Sequence, residues 1–211
     1  GDTVWDTLER MGRLRGVLIG STETGDIRIW RPTRQRASCV LEQGVNLLSG
    51  RVEHSTRERH SVYLLKGQAA GDDFTSGAAA AQGKGQAVDA GISRYRPLLI
   101  IAEDQGAGGS LQDRARWEAT VRAGRAQQVT VAVQGWRDAG GQIYRLDQLA
   151  RVRAPVLAID EDLLVCGLRF ERGDRGTITE VTLMRPEAFS IEPVPAEAKA
   201  SQLAGGRRRA A

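Results

Sequence analysis

The stretch "LLVCGLRFERGDRGTITEVTLMRP", Leu163–Pro186, decides how the chain reads. Apolar and polar residues alternate along it, and Gly173-Asp174-Arg175-Gly176 interrupts the alternation near its middle. A period of two is that of a strand with one face buried, and a glycine-rich break between two such runs is a hairpin turn. The Arg172-Gly173-Asp174 triplet has the form of an adhesion ligand, but a hairpin turn needs these residue types for geometric reasons alone. The same period begins upstream at Val129, with "VTVAVQGW", "QIYRL" and "QLARVRAP", and a turn at Ala139-Gly140-Gly141. Several short strands separated by turn signals indicate a small antiparallel barrel or sandwich.

The preceding segments are mixed. In "DTVWDTLERMGRLRG" the residues Val4, Leu8, Met11 and Leu14 recur at helical spacing, with Asp2 or Thr3 as the N-cap and Gly16 as the stop. "VLIGSTETGDIRIWRP" then reads as a hairpin turning on Thr24, Gly25 and Asp26. "NLLSGRVEHS" and "HSVYLLKGQ" read as two more strands, and "AAGDDFTSGAAAAQGKGQAVDAG" as a long loop, since it offers few large apolar groups to offset the entropy of ordering it. Its "GKGQAVDAG" lacks the flanking strand, helix and Lys-Ser/Thr ending of a phosphate cradle. "SRYRPLLIIAED" supplies a strand over Leu98 to Ala102, expected in the barrel, with Arg94, Tyr95 and Arg96 at its rim. A second helix follows from Ser110, its expected cap, with Leu111, Ala115, Ala119 and Arg122 on one face and Trp117 and Val121 flanking it. The fold expected is therefore α+β and mainly β: a small antiparallel β-barrel with an N-terminal α+β piece and one further helix. The expected division is 1–66 for the partial α+β domain and leading strands, 67–92 for the loop, 93–192 for the barrel and 193–211 for a flexible basic tail.

Composition narrows the chemistry. The 30 basic and 26 acidic residues of this 211-residue chain are largely interspersed, apart from Arg207, Arg208 and Arg209 near the C-terminus. Two cysteines, Cys39 and Cys166, are far apart and form neither a disulfide framework nor a zinc ribbon by themselves. His54 and His60 are the only histidines and lack an evident third ligand, so no metal or cofactor site is expected. No serine sits in a strand-turn-helix elbow, and the carboxylate clusters Asp72-Asp73, Glu103-Asp104 and Asp160-Glu161-Asp162 fall at loops or strand ends. No catalytic residue is assigned. Arg94, Tyr95 and Arg96 have the composition favoured at protein interfaces, and equally that of a solvated rim around a half-buried tyrosine.

The order of these features, and in particular "RYRPLLIIAED", "VQGWRDAGGQIY" and "LRFERGDRGTITEVTLMRPEAF", resembles the C-terminal half of the phage Mu type tail protein P, the baseplate hub family of contractile-tailed phages, prophages and tailocins. The resemblance runs from Thr3 to about Phe189. It implies a non-enzymatic virion protein of the tail baseplate, assembled in the bacterial host cytoplasm. It also implies a homotrimeric ring in which paired barrels approximate the sixfold symmetry of the tail tube. The partners implied are the tail tube or tube-initiator protein, the central spike and other baseplate proteins. A hub-like module of a secretion-system spike, or a baseplate-associated cell-wall hydrolase, are the alternatives.

Overall fold

The computed structural model describes residues 3–15, 17–22, 24–31, 36–67, 84–102, 108–174 and 176–190. Contacts divide the chain into two compact units, one of Gly1–Arg57 with Ala123–Ser190, the other built on Glu58–Arg122. The architecture is mainly β with two helices among the described residues.

The first unit opens with α1 (Val4–Arg15). Thr3 and Asp6 close a capping box: the Thr3 N–H donates to Asp6 Oδ2 at 2.9 Å and the Asp6 N–H to Thr3 Oγ1 at 3.2 Å. The expected stop, Gly16, lies outside the described residues. The hairpin of β1 (Leu18–Ser21) and β2 (Ile27–Trp30) follows, turning at Gly25 as expected. Val4 and Met11 of the apolar helical stripe are exposed, and Gly12 is the residue that packs on Ile19. In β2 it is Arg28 and Trp30 that are shielded while Ile27 and Ile29 face outward. Arg28 stacks over the Trp30 ring at 5.4 Å and reaches the buried Asp147 carboxylate at 3.8 Å.

The rest of this unit is one six-stranded sheet. Its strands are β3 (Arg36–Glu42), β4 (Leu47–His54), β8 (Gln127–Gln134), β9 (Leu149–Ala154), β10 (Ile159–Gly173) and β11 (Gly176–Met184). They lie in the order β3-β9-β10-β11-β8-β4. The predicted hairpin of Leu163–Pro186 is β10 and β11, closing at Gly173 opposite Gly176. The first half of β10 pairs with β9 and the second half with β11. A bulge at Cys166, between Val165 and Gly167, bends the strand where it changes partner. Period-two burial then builds the core: Val129, Val131 and Val133 of β8 meet Val181 and Leu183 of β11, Leu163 and Val165 of β10, Val152 of β9 and Leu41 of β3.

The edges of the sheet, β3 and β4, are consecutive in sequence and joined only by residues 43–46. A sheet whose outermost strands share a four-residue turn must roll until those edges approach, and the result is a curled half-barrel. Asn46 holds the corner. Its Oδ1 accepts from the Glu42 N–H at 2.8 Å, its Nδ2 donates to the Val40 carbonyl at 2.7 Å, and its own N–H bonds the Glu42 carbonyl at 3.1 Å. Gln43 ties the same corner to the segment around β9, through its N–H to Arg153 O and its Oε1 to the Val156 N–H.

This differs from the expected antiparallel barrel, because β3 lies parallel to β9 and the sheet is mixed. A chain that leaves β9 antiparallel into β10 presents its other edge to a strand arriving from far upstream, and nothing in the local period fixes that strand's direction. Trp136 is less buried than its place at the end of β8 suggests: it is 40% exposed, with its ring edge-on to Phe170 and its Nε1–H donating to the Glu171 carbonyl at 3.2 Å.

The second unit is a three-stranded sheet, β6-β5-β7, of β5 (Val62–Gly67), β6 (Lys84–Val88) and β7 (Pro97–Ala102), backed by α2 (Gly108–Arg125). Here Leu65 and Ala87 pack on Ala115 with Ile100 and Ala119 beside them. Leu98 to Ala102, expected as a barrel strand, is therefore β7 of a different sheet, parallel to β5. The stretch expected as an uninterrupted loop contains β6, because Ala87 and Gly85 supply small residues that fit beneath α2; residues 68–83 and the tail 193–211 lie outside the described residues. The helix begins at Gly108, before the expected cap Ser110. The half-barrel takes both of its edge strands, β3 and β4, from the leading segment of the chain.

Replacing Asn46 with alanine removes the two side-chain bonds that fix the corner. The expected loss is about 1–3 kcal/mol of stability of the half-barrel, read as a lowered urea midpoint with unchanged slope. An unaltered midpoint would show that the corner holds without Asn46.

Candidate functional site

Arg94, Tyr95 and Arg96 stand on the connection from β6 into β7, all exposed, Tyr95 by 76%. They border the three-stranded sheet, not the half-barrel, and Arg96 is held through both of its backbone groups. The Arg96 N–H donates to Ser61 Oγ at 2.7 Å, and the Ser61 N–H donates to the Arg96 carbonyl at 2.9 Å. The Asp89 N–H in turn donates to the Ser61 carbonyl at 3.0 Å, so the approaches to β5 and β7 and the exit of β6 form one knot.

The centre of that knot is the Arg59–Asp89 pair. Nε and Nη2 of Arg59 donate to Oδ2 and Oδ1 of Asp89 at 2.8 and 2.7 Å, a two-pronged geometry that suits guanidinium and carboxylate. Both side chains are largely buried, and Asp89 Oδ1 also accepts from the Gly91 N–H at 2.9 Å. The Arg59 guanidinium holds the Asp89 carboxyl below its usual range against the opposing effect of burial, and Asp89 raises Arg59 in return. Beside it, Tyr63 is fully buried and its hydroxyl accepts from the His60 N–H at 3.0 Å, with the two rings edge-to-face. Burial pushes the Tyr63 phenol up.

The other candidates are structural in character. Asp160, Glu161 and Asp162 are paired with arginines: Asp160 with Arg151 at 2.6 Å, Asp162 with Arg36 at 2.6 Å and Glu161 with Arg185 at 3.2 Å. Asp72, Asp73, Glu103 and Asp104 lie outside the described residues. His54 ends β4 in the first unit, whereas His60 belongs to the knot of the second. Among the described residues no group of three or more His, Cys, Asp or Glu side chains is placed to hold a metal. The Cys166 thiol is pushed up to about 11 by burial and lies against the Thr182 carbonyl at 3.3 Å, which makes it a poor nucleophile at neutral pH. Arg172, Gly173 and Asp174 are exposed where β10 turns toward β11. Sequence reasoning missed the Arg59–Asp89 pair, whose members are separated by β5, the stretch 68–83 and β6. The available signal was Asp89 followed by Gly91, a carboxylate beside a residue with no side chain to obstruct its partner.

Two outcomes follow for this knot. A Cβ at position 91 would collide with Arg59 Nη2, which is not free to move while it holds Asp89, so Gly91→Ala is expected to cost about 1–3 kcal/mol in thermal or denaturant unfolding. Because the folded carboxyl is lowered, the stability contributed by Asp89 is present above its unfolded value of ~3.9 and is lost only as pH falls through the lower folded value. Asp89→Asn is therefore expected to cost about 3 kcal/mol at neutral pH, with the wild-type and variant stabilities converging in acid below the ordinary carboxylate range. A difference independent of pH would show that the charge of Asp89 contributes nothing.

Comparison with known proteins places these features. Residues 108–192, from α2 through β11, match the family model of the Mu phage baseplate assembly protein GpP, fourth domain. The chain is 32% identical over 205 residues to the baseplate hub protein gp44 of Escherichia phage Mu, covering 94% of this chain and 53% of that protein. Its fold matches the 43 kDa tail protein of prophage MuSo2 from Shewanella oneidensis with a TM-score of 0.77 at 29% identity, over 90% of this chain and 55% of that one. The fold also matches the tail protein from Neisseria meningitidis MC58, with a TM-score of 0.69 at 20% identity, over 92% of this chain and 59% of that one. The chain is thus similar along nearly its whole length to Mu-type baseplate hub proteins, and it spans about half the length of the relatives it matches.

Proposed function

We propose that this chain is the C-terminal half of a structural baseplate hub protein of a contractile phage tail or tailocin, and that three copies of the full-length hub form a ring joining the tail tube to the central spike. The observation that carries this reading is the 32% identity to the phage Mu hub protein across 94% of the chain. The physical character of the first unit supports it. Its half-barrel is stiffened by a close-packed valine and leucine core, and across β3, β9 and β10 Arg36, Arg151, Arg153 and Arg169 face Asp162, Asp160, Glu42 and Glu171. Such a wall is shaped by packing and locally neutral, as a conduit component needs.

In this reading Arg94, Tyr95 and Arg96 belong to an interface with a neighbour, presented on a backbone fixed by Ser61 and by the Arg59–Asp89 pair. The partners are further copies of the hub, the tail tube or tube-initiator protein, the spike and other baseplate proteins, and the site of action is the virion tail, assembled in the host cytoplasm. The exposed Val4, Met11, Ile27 and Ile29 of the α1 hairpin form the flank of an α+β domain shared with the half of the hub that this chain does not span.

Ring closure needs two different surfaces on each subunit, and a stable interface buries ~1,200–2,000 Å² in total. Light scattering at micromolar concentration is therefore expected to find this 211-residue chain monomeric or weakly associated, and a chain of the relatives' full length trimeric. A full-length chain that stays monomeric, and is absent from purified tails by mass spectrometry, would remove the hub reading.

A further inference from the structure

The three-stranded sheet of the second unit has two unlike faces. On one, Tyr63, Leu65, Gly67, Ala87 and Ala102 are buried, and Gly85 approaches the Leu111 backbone so closely that no Cβ fits between sheet and helix. The registers define the other face row by row. Val88, Val62 and Pro97 lie side by side, then Gln86, Leu64 and Leu99, then Lys84, Lys66 and Ile101. This face is largely apolar, with Val88 66% exposed, Leu99 52% and Ile101 59%. It continues toward Tyr95 just ahead of Pro97. Scattered exposed apolar residues are ordinary, but a contiguous set on a flat sheet marks a contact surface.

Among the described residues, the exposed charges on the three rows and on the connection just ahead of Pro97 are all positive. Lys66 and Lys84 are directly opposed across the β5–β6 ladder, an arrangement that is unfavourable by itself. At the other end stand the exposed Arg94 and Arg96. The three rows contain no carboxylate. A second copy docking the same face would set lysine against lysine. The first unit's sheet offers no better match, since Glu42, Glu53, Asp160, Glu161, Asp162 and Glu171 already face arginines and Glu180 stands opposite Arg169 in the β10–β11 register. A bilayer surface is also a poor fit, because membrane binding grows with the apolar area inserted and three short rows offer little.

We infer that the outer face of β6-β5-β7, with Leu64 at its centre and Leu99 and Ile101 along its β7 edge, docks a protein other than this chain whose surface carries an apolar strip bracketed by carboxylates. Strands ~4.8 Å apart and rows ~7 Å apart make the strip only a few hundred Å², less than the ~800 Å² per partner of a stable complex. It therefore serves as the apolar centre of a contact made within a multi-component assembly. This rests on the hub reading and names a partner for it.

The test is photo-crosslinking inside the particle. Leu99 is replaced by p-benzoylphenylalanine in the full-length hub, with Glu53 on β4 substituted in parallel as the comparison position, and products from purified tails are identified by mass spectrometry. Position 99 is expected to crosslink to a different tail polypeptide, at a segment containing aspartate or glutamate, and position 53 is not expected to give that product. Adding Lys66→Glu and Lys84→Glu is expected to lower the yield about tenfold or more, while thermal unfolding of the purified variant confirms that it is folded. A crosslink to a second hub copy, to residues 68–83 of the same chain or to lipid overturns the inference. So does no crosslink, or an undiminished yield in the folded charge-reversed variant. Absence of the protein from purified tails defeats the hub reading along with it, whereas incorporation without the expected crosslink defeats this inference alone.

Discussion

The half-barrel depends on one covalent fact: its two outermost strands, β3 and β4, are neighbours in the chain, joined by residues 43–46. A six-stranded sheet can lie open only if its edges are free to separate. Here they are not. Asn46, next to the start of β4, bonds twice to the end of β3, Gly44 takes the left-handed conformation at φ 81°, and Gln43 reaches the segment around β9. The curl that follows brings β8, β9, β10 and β11 around a single core, and the bulge at Cys166 lets β10 serve both halves of the sheet without a break in the chain. Gly167 completes this arrangement, since its Cα lies so near the Thr182 side chain that a Cβ would stand 3.1 Å from it.

Strands announce themselves locally; their partners do not. The alternation in Val129–Trp136 and Leu163–Pro186 identifies β8, β10 and β11, and the turn chemistry pairs β10 with β11 because the partners are adjacent. The α1 start was equally legible, since Thr3 and Asp6 have the spacing that a capping box requires. Leu98 to Ala102 shows the limit. Its apolar run reads as a strand, but whether it joins the barrel depends on Val62–Gly67, with which it pairs directly in parallel although β6 lies between the two in sequence. Lys84–Val88 was hidden for a different reason: its inward residues are Gly85 and Ala87, small because α2 lies against them, and small residues in a glycine-rich neighbourhood look like loop.

The faces of β2 were similarly ambiguous. Alternation separates Ile27 and Ile29 from Arg28 and Trp30 but does not say which pair is shielded, and the structure shields the pair containing an arginine. That choice is workable because Arg28 is not isolated: its guanidinium lies over the Trp30 ring and within reach of Asp147. Arg59 is treated in the same way, largely buried but engaged at both Nε and Nη2. Burial of a guanidinium is tolerable when its donors meet a carboxylate in fixed geometry, and costly otherwise.

This bears on how the exposed tripeptide at Arg94, Tyr95 and Arg96 is presented. A tyrosine on a loose loop loses conformational entropy when a partner orders it, whereas here the backbone on its C-terminal side is already fixed by both hydrogen bonds between Ser61 and Arg96, and Ser61 is fixed by Asp89. The ordering has been done during folding, by interactions buried in the knot. For the interface proposed at these residues, what remains to be immobilised is the tyrosine side chain, with few rotatable bonds and a large ring. The Arg59–Asp89 pair thereby acts at a distance on the surface: it contributes no atom to the exposed face, but it holds the connection that positions Tyr95 beside the apolar rows of β5 and β7.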